Sequence, residues 1–174
     1  MHKTFDFKKF PKLSNYEAIR KYSILKMNFF ESMRSNNTNA FKMPRIVFAF
    51  IINQRTYRQV VRLFKTVYDE MHFYMFHVDK KSKYLRYKME QFIEQIKDKA
   101  VRVGDGTHLN VKLCDWSDDN MWGGAKFFET ILRLMSDLVE LKRNQVWDWD
   151  FFFNISETDF LFKPIEQYFF FILN

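Results

Sequence analysis

The chain of 174 residues contains one cysteine, four glycines and three prolines. With Cys114 alone, neither an internal disulfide nor a metal cluster built on thiolates can form. The scarcity of glycine and proline argues against a fibrous or disordered chain, and a hydrophobic content of 47% is ordinary for a globular protein. A chain of this length is long enough to bury one sizeable core.

Several sequence signals are also missing. No apolar stretch reaches the roughly 18 residues of a transmembrane helix, and the charged, aromatic residues 1–10 do not resemble a signal peptide. The chain has neither a glycine-rich dinucleotide fingerprint nor a P-loop lysine motif, which weakens an interpretation as a classical NAD or ATP protein.

The net charge of +7 is confined to the N-terminal arm. Residues 1–45 hold ten Lys/Arg and three Asp/Glu, whereas the rest of the chain holds eighteen of each sign. An arm of this kind favours an acidic partner such as an acidic peptide or a polyanionic glycan, or it is simply a solvated segment. Nucleic-acid binding is not predicted, because no basic stripe continues through the domain.

From Pro44 onward apolar strands alternate with helical stripes. Strands are predicted at 46–52, 73–78, 110–113 and 151–154, and helices around 60–68, 85–96, 128–139 and 164–173. Crossover helices between apolar strands predict a mostly parallel sheet covered on both faces, a Rossmann-like α/β architecture with its ligand at the carboxyl ends of the strands. We therefore expect a basic arm or linker at 1–43 and one domain at 44–174.

Three further local features can be read from this pattern. The most pronounced helical stripe consists of Phe128, Ile131, Leu132, Met135, Leu138 and Val139. Ser82 is well placed as the N-cap of the second helix. The turn signal at 104–106 lies in what looks like a loop insertion at 97–109.

The second strand ends in His77, Asp79 and two lysines. A carboxylate beyond a buried strand can accept hydrogen bonds from a nucleobase or a ribose, and Lys80 and Lys81 can meet a diphosphate. Alternatively, Asp79 opens the next helix and the lysines are solvated. His77 alternates with Asp79 along the strand, so we expect it to face the core.

The loop before the long helix is rich in carboxylates. Asp115, Asp118 and Asp119 could hold a divalent metal through oxygen ligands, or they serve as caps and solvated groups. Gly123 and the glycine after it allow close backbone approach to a ligand at a helix N-terminus. Further on, 148–150 has the Asp-x-Asp shape of metal-dependent glycosyltransferases, but we interpret it as the start of a strand.

The order of these segments resembles the core-2 branching/xylosyltransferase family. The likeness covers about residues 45–170 and rests on 58–63, 77–82, 122–124, 152–156 and 158–160. The segments 62–68, 72–74 and 147–152 look more like peptide O-xylosyltransferases than like the N-acetylglucosaminyltransferases of the family. The resemblance implies a GT-A glycosyltransferase fold, here in part, a UDP-sugar donor and inversion at the anomeric carbon.

The resemblance also implies a donor site. Ile51 would pack on the uracil, Asp79 would bond the uridine, and Lys81 stands where xylosyltransferases usually carry Arg. Trp122 and Gly123 would line the nucleotide-sugar pocket. Beyond the UDP-xylose donor no cofactor is implied as required, and a divalent metal is possible but not indicated.

At the end of the fourth strand, Asp159 occupies the Asp of the family's Asp-Tyr/Phe-Pro motif, and Leu161 replaces its Pro. The resemblance places the general base, an Asp or Glu, beyond Asn174. An inverting transfer needs such a base within hydrogen-bond reach of the acceptor hydroxyl. We therefore expect this chain to bind UDP without full activity.

The function implied by the resemblance is transfer of xylose from UDP-xylose to serine in an acidic, Ser-Gly-containing proteoglycan core protein. This reaction begins the linker of heparan and chondroitin sulphate. The family's full-length members are type II membrane proteins of the Golgi or endoplasmic reticulum lumen, so membrane attachment would come from a segment absent from this chain. Two alternatives stay open: a β-1,6-N-acetylglucosaminyltransferase of the same family, and a non-catalytic fragment that binds UDP or a glycan.

Overall fold

The computed structural model describes residues 44–53, 57–119, 124–156 and 158–159. In chain order its elements are β1 (Ile46–Ile52), α1 (Tyr57–Val67), β2 (Phe73–Val78), α2 (Lys83–Ile96), β3 (Arg102–Val103), β4 (His108–Leu109), β5 (Val111–Leu113), α3 (Ala125–Arg143) and β6 (Phe151–Ser156). Each of the four predicted strands is confirmed, and β6 continues two residues beyond the predicted end.

The central sheet is parallel, with the strand order β5-β2-β1-β6. The register pairs Ile52 with Val78 and Ile51 with Ser156, so the strands end at a common edge. The chain first builds outward from β1 to β2 and β5 and then returns to the other side of β1 as β6. This confirms the predicted α/β class and places the topological switch point between β1 and β6.

The two central strands, β1 and β2, are buried on both faces, which explains their continuous apolar runs. All seven residues of β1 are buried. On one face the ring of Phe50 stacks on Phe76 with centroids 4.6 Å apart, and Phe64 of α1 meets Phe76 and the α2 residue Phe92 at 5.5 Å each. These edge-on and offset contacts are favourable aromatic geometries, and they fix α1 and α2 on this face.

The opposite face is covered by α3. Val47, Ala49 and Ile51 of β1 share a buried cluster with Leu134 and Leu138 of α3 and with Trp147. The indole of Trp147 stacks on Phe73 with centroids 5.3 Å apart and donates Nε1–H to the carbonyl of Leu109 at 2.9 Å.

The buried side of α3 is offset from the stripe that the sequence predicted. The helix itself is confirmed, but its buried residues are Thr130, Leu134 and Leu138. Two members of the stripe face the core, since Leu138 is buried and Ile131 is partly buried against the core cluster. The others are exposed, with Phe128 at 60% and Leu132 at 49%, followed by Met135 and Val139. Thr130 is buried at no hydrogen-bonding cost, because its Oγ1 donates to the carbonyl of Lys126 at 3.0 Å.

Two other local predictions are refined. Ser82 precedes α2 as expected, but it makes no side-chain cap, because its Oγ donates instead to the carbonyl of Asn53. The suspected loop insertion contains the antiparallel hairpin β3–β4. At its turn, Gly104 has φ +65°, and an added Cβ would lie 3.3 Å from the carbonyl oxygen of Gln145, so any other residue would be strained there.

The Asp-x-Asp segment is confirmed as the start of a strand. A carboxylate oxygen of Asp150 accepts the backbone N–H of Arg45 at 2.7 Å, and Asp148 forms an ion pair with the Arg45 guanidinium. Both contacts join the beginnings of β1 and β6. They therefore lie at the amino edge of the sheet, opposite the edge where a ligand is expected.

The arm at 1–43 and the predicted helix at 164–173 lie outside the described residues, so the domain boundary at 43/44 remains a prediction. In the described ranges, none of the helices combines the length and the apolar character needed to cross a membrane.

Candidate functional site

A tight turn follows β2 at the carboxyl edge of the sheet. The N–H of Asp79 donates to the carbonyl of Ile52 at 2.8 Å, which ties the end of β2 to β1. One carboxylate oxygen of Asp79 accepts the N–H of Lys81 at 2.7 Å, and the Asp79 carbonyl accepts the N–H of Ser82 at 2.9 Å. Asp79 thus shapes the start of α2. It is only 2% exposed, so a ligand would reach it only if the groups that cover it moved.

The side chain of Lys81 points to the acidic loop. Its Nζ lies 2.6 Å from a carboxylate oxygen of Asp119, and the two side chains are 58% and 43% exposed. The hydrogen bond raises the pKa of Lys81 and lowers the pKa of Asp119. Exposed ion pairs of this kind contribute little to stability, so an anionic ligand can compete for the lysine.

The acidic loop, residues 114–119, is bound to the end of β2 along its length. The hydroxyl of Ser117 donates to the carbonyl of Val78 at 2.8 Å, and the N–H of Lys80 donates to the carbonyl of Asp118 at 3.1 Å. The loop therefore forms one wall at the carboxyl edge, beside the turn that holds Asp79.

The side chain of His77, in β2, holds the acidic loop by a hydrogen bond. It is fully buried, as the sequence predicted, and its Nε2 accepts the N–H of Asp118 at 3.1 Å. Its ring lies 4.8 Å from that of Trp116. Burial lowers the pKa of His77 to about 4, with Asp118 and Asp79 acting weakly in the opposite direction. The neutral ring is the form that can accept this hydrogen bond.

Each aspartate of the loop pairs with a different basic side chain. The pairs are Asp115 with Lys112 at 3.1 Å, Asp118 with Arg133 at 3.4 Å, and Asp119 with Lys81 at 2.6 Å. Within the part of the chain that the structure describes, no three His, Cys, Asp or Glu side chains come together as a possible metal site. A metal held by the three aspartates would need all three pairs to rearrange.

The end of β6 completes the edge. Asp159 accepts the N–H of Ser156 with a carboxylate oxygen at 2.7 Å and donates its own N–H to the Ser156 carbonyl at 3.0 Å. The Ser156 hydroxyl lies 3.0 Å from that of Thr158. Ile51 is paired with Ser156 in the sheet and is 2% exposed, within the core cluster beneath α3.

The structure thus brings Asp79 and Lys81 into one turn and sets Ile51 and Asp159 at the ends of the two neighbouring strands. Trp122 and Gly123 lie outside the described residues. Sequence reasoning did not find Arg86, whose guanidinium holds the acidic loop. It contacts residues 28 to 31 positions away, so no local pattern indicated it.

Residues 46–170 match the sequence profile of the Core-2/I-Branching enzyme family. The chain belongs to this family of branching glycosyltransferases. It is 37% identical over 123 residues to Xylosyltransferase 1 of Rattus norvegicus, covering 71% of this chain and 13% of that protein. Identity to Xylosyltransferase 1 of Homo sapiens is 36%, over 71% of this chain and 11% of the human protein. Identity to Xylosyltransferase 2 of Mus musculus is 33% over 137 residues, which is 79% of this chain and 14% of the mouse protein.

The chain therefore spans only about an eighth of the length of these relatives. The matched region contains the whole parallel sheet and the acidic loop. The family and the fold agree with the resemblance that the motifs predicted.

Proposed function

We propose that this chain forms the donor-binding part of a xylosyltransferase. The reaction is transfer of xylose from UDP-xylose to a serine hydroxyl of a proteoglycan core protein. The observation that carries the proposal is the Asp79–Lys81 turn at the carboxyl end of β2, beside the topological switch point of a Rossmann-like sheet. Ligands of open α/β sheets bind at this edge, and an acid after the second strand is the common partner of a ribose hydroxyl.

The chemistry of the turn suits a uridine diphosphate. The two oxygens of a carboxylate offer about four acceptor positions, so Asp79 can accept a uridine donor while it keeps the Lys81 amide. Lys81 carries an exposed ammonium that can exchange the Asp119 carboxylate for a diphosphate oxygen. Asp159, Trp122 and Gly123 would be further donor-site residues. Ile51 would pack against the uracil only after the groups that bury it beneath α3 move aside.

The identity to Xylosyltransferases 1 and 2 supports xylose as the transferred sugar. The acceptor would be an acidic, Ser-Gly-containing peptide, and the compartment would be the Golgi lumen, with linker formation for heparan and chondroitin sulphate as the role. No residue of the described part is proposed as the general base. No metal is proposed either, and the donor is the one small molecule that the proposal requires.

Calorimetry with UDP tests the donor site on the 174-residue chain. We expect a micromolar to millimolar Kd. We expect Asp79→Asn to weaken binding by about ten- to a hundredfold, because a hydrogen bond to a charged acceptor contributes about 1.5–3 kcal/mol and about 1.4 kcal/mol is a factor of ten. Asn keeps an oxygen for the Lys81 amide, so circular dichroism should show an intact fold. Asp98→Asn, the same change at an exposed turn position, is the matched control and should leave Kd unchanged. The absence of heat at millimolar UDP would refute the proposal.

The sugar is tested separately by competition. UDP-xylose should displace UDP more effectively than UDP-N-acetylglucosamine does. The reverse order would favour the β-1,6-N-acetylglucosaminyltransferase alternative, which shares the same family.

A further inference from the structure

Arg86 extends from α2 to the acidic loop, and all three nitrogens of its guanidinium make polar contacts. Its Nη2 donates to the carbonyl of Cys114 at 2.9 Å. Its Nη1 donates to the hydroxyl of Ser117 at 2.9 Å and to the carbonyl of Trp116 at 3.3 Å. On the other side, Nε lies 3.2 Å from a carboxylate oxygen of Glu90, one helical turn along α2.

These contacts form a chain that leads to the candidate donor site. The Ser117 hydroxyl that accepts from Arg86 donates in turn to the carbonyl of Val78, the residue directly before Asp79. Arg86 therefore joins the start of α2, the acidic loop and the end of β2. Its side chain is 26% exposed, so these hydrogen bonds are partly shielded from water.

Only an arginine side chain can make all of these contacts at the same time. Arginine presents five N–H donors in a rigid planar fork, which can serve two carbonyls, a hydroxyl and a carboxylate at the same time. Hydrogen bonds from a charged donor are roughly twice as strong as neutral ones. The ammonium of lysine is a single point with three donors, so it can replace some of these contacts but not all of them.

We infer that Arg86 is a positioning residue for the nucleotide-sugar donor, an inference that rests on the proposed function. Arg86 holds the acidic loop against the end of β2, beside the turn of Asp79, before the donor arrives. Without Arg86 the loop is ordered only when the donor binds. The entropy of that ordering then reduces the affinity.

The test uses the 174-residue chain and two readouts. Calorimetry with UDP gives Kd, and hydrogen exchange gives the protection of the amides of Cys114 and Asp118, which are bonded to Phe76 and His77. We expect Arg86→Ala to weaken UDP binding about tenfold and to speed exchange at both amides, with the far-ultraviolet circular dichroism unchanged. Arg86→Lys should recover part of both losses.

Arg62→Ala is the matched control. It makes the same substitution and charge change at an exposed position of α1. It should leave UDP affinity and loop exchange as in the unmodified chain. An equal loss of affinity in this variant would overturn the inference, because the effect would then come from net charge.

Two further results would overturn it. One is UDP binding by Arg86→Ala with unchanged or greater affinity. The other is weakened binding with unchanged exchange at Cys114 and Asp118, since the loop would then not be the intermediary. Failure of the proposed function looks different: in that case the unmodified chain itself gives no heat with UDP, whereas exchange at the loop still responds to Arg86→Ala.

Discussion

Lowering the pH from 6.5 to 4 is expected to reduce the free energy of unfolding by about 3 kcal/mol through His77 alone. Burial lowers the pKa of His77 in the folded chain from 6.5 to about 4. Above pH 6.5 the ring is neutral in both states, and the stability that the buried neutral ring contributes is complete. Between the two pKa values His77 is protonated in the unfolded chain and neutral in the folded chain. The free energy of unfolding therefore falls by about 1.36 kcal/mol for each pH unit by which the pH is lowered. Below pH 4 this loss stops growing.

The measurement is urea denaturation at several pH values, with His77→Gln as the comparison. Glutamine can accept the Asp118 N–H with its amide oxygen and does not titrate in this range. The unmodified chain should lose stability relative to His77→Gln as the pH falls from 6.5 to 4. Because all other titratable groups are the same in the two proteins, the difference between the two curves isolates His77. Parallel curves would show that His77 is not held neutral by burial.

Truncating a leucine to alanine is expected to cost much more stability on one side of α3 than on the other. Leu138→Ala is expected to destabilise the chain by about 2–5 kcal/mol, because it leaves a cavity in a packed core. Leu138 is fully buried in the cluster with Leu134 and Trp147. Leu132→Ala makes the same chemical change at a site that is 49% exposed and should cost less than about 1 kcal/mol.

Denaturant unfolding of both variants gives the two values, with the midpoint and slope checked for two-state behaviour. An equal cost at the two positions would contradict the orientation of α3 in the structure. It would mean that the side of α3 that carries Phe128 and Leu132 is buried as well.

The sheet could be predicted from the sequence because its two central strands, β1 and β2, are buried on both faces. Such strands appear as continuous apolar runs, and the run at 46–52 is an example in which every residue is buried. The turn signal at 104–106 was also recognisable, since it contains the two glycines of the hairpin, both with positive φ.

The buried face of α3 could not be predicted from apolar spacing. The stripe contains the exposed Phe128 and Leu132, whereas the buried face includes Thr130. A threonine is counted as polar, yet here its hydroxyl is satisfied within the helix and the residue packs inward. Ser82 is a similar case, because its hydroxyl bonds the distant carbonyl of Asn53 rather than its own helix.

At the candidate site, the sequence identified the residues that carry local signals. Asp79 and Lys81 follow a strand directly, and the structure places them in one turn. Two sets of contacts join segments that are far apart in the chain. They are the ion pair of Lys81 with Asp119 and the hydrogen bonds from Arg86 to the acidic loop. Their partners are fixed by how α2 packs beside β5, which local pattern does not specify.

The central claim is that the carboxyl edge of the sheet binds a uridine diphosphate. Its most direct test is a UDP titration of the isotope-labelled chain followed by amide chemical shifts. The largest shifts should fall at Asn53, at 79–82, at 117–119 and at Ser156. The amides of the amino edge, around Arg45 and 147–150, should stay unshifted. Shifts concentrated at the amino edge, or no saturable shift at millimolar UDP, would contradict it.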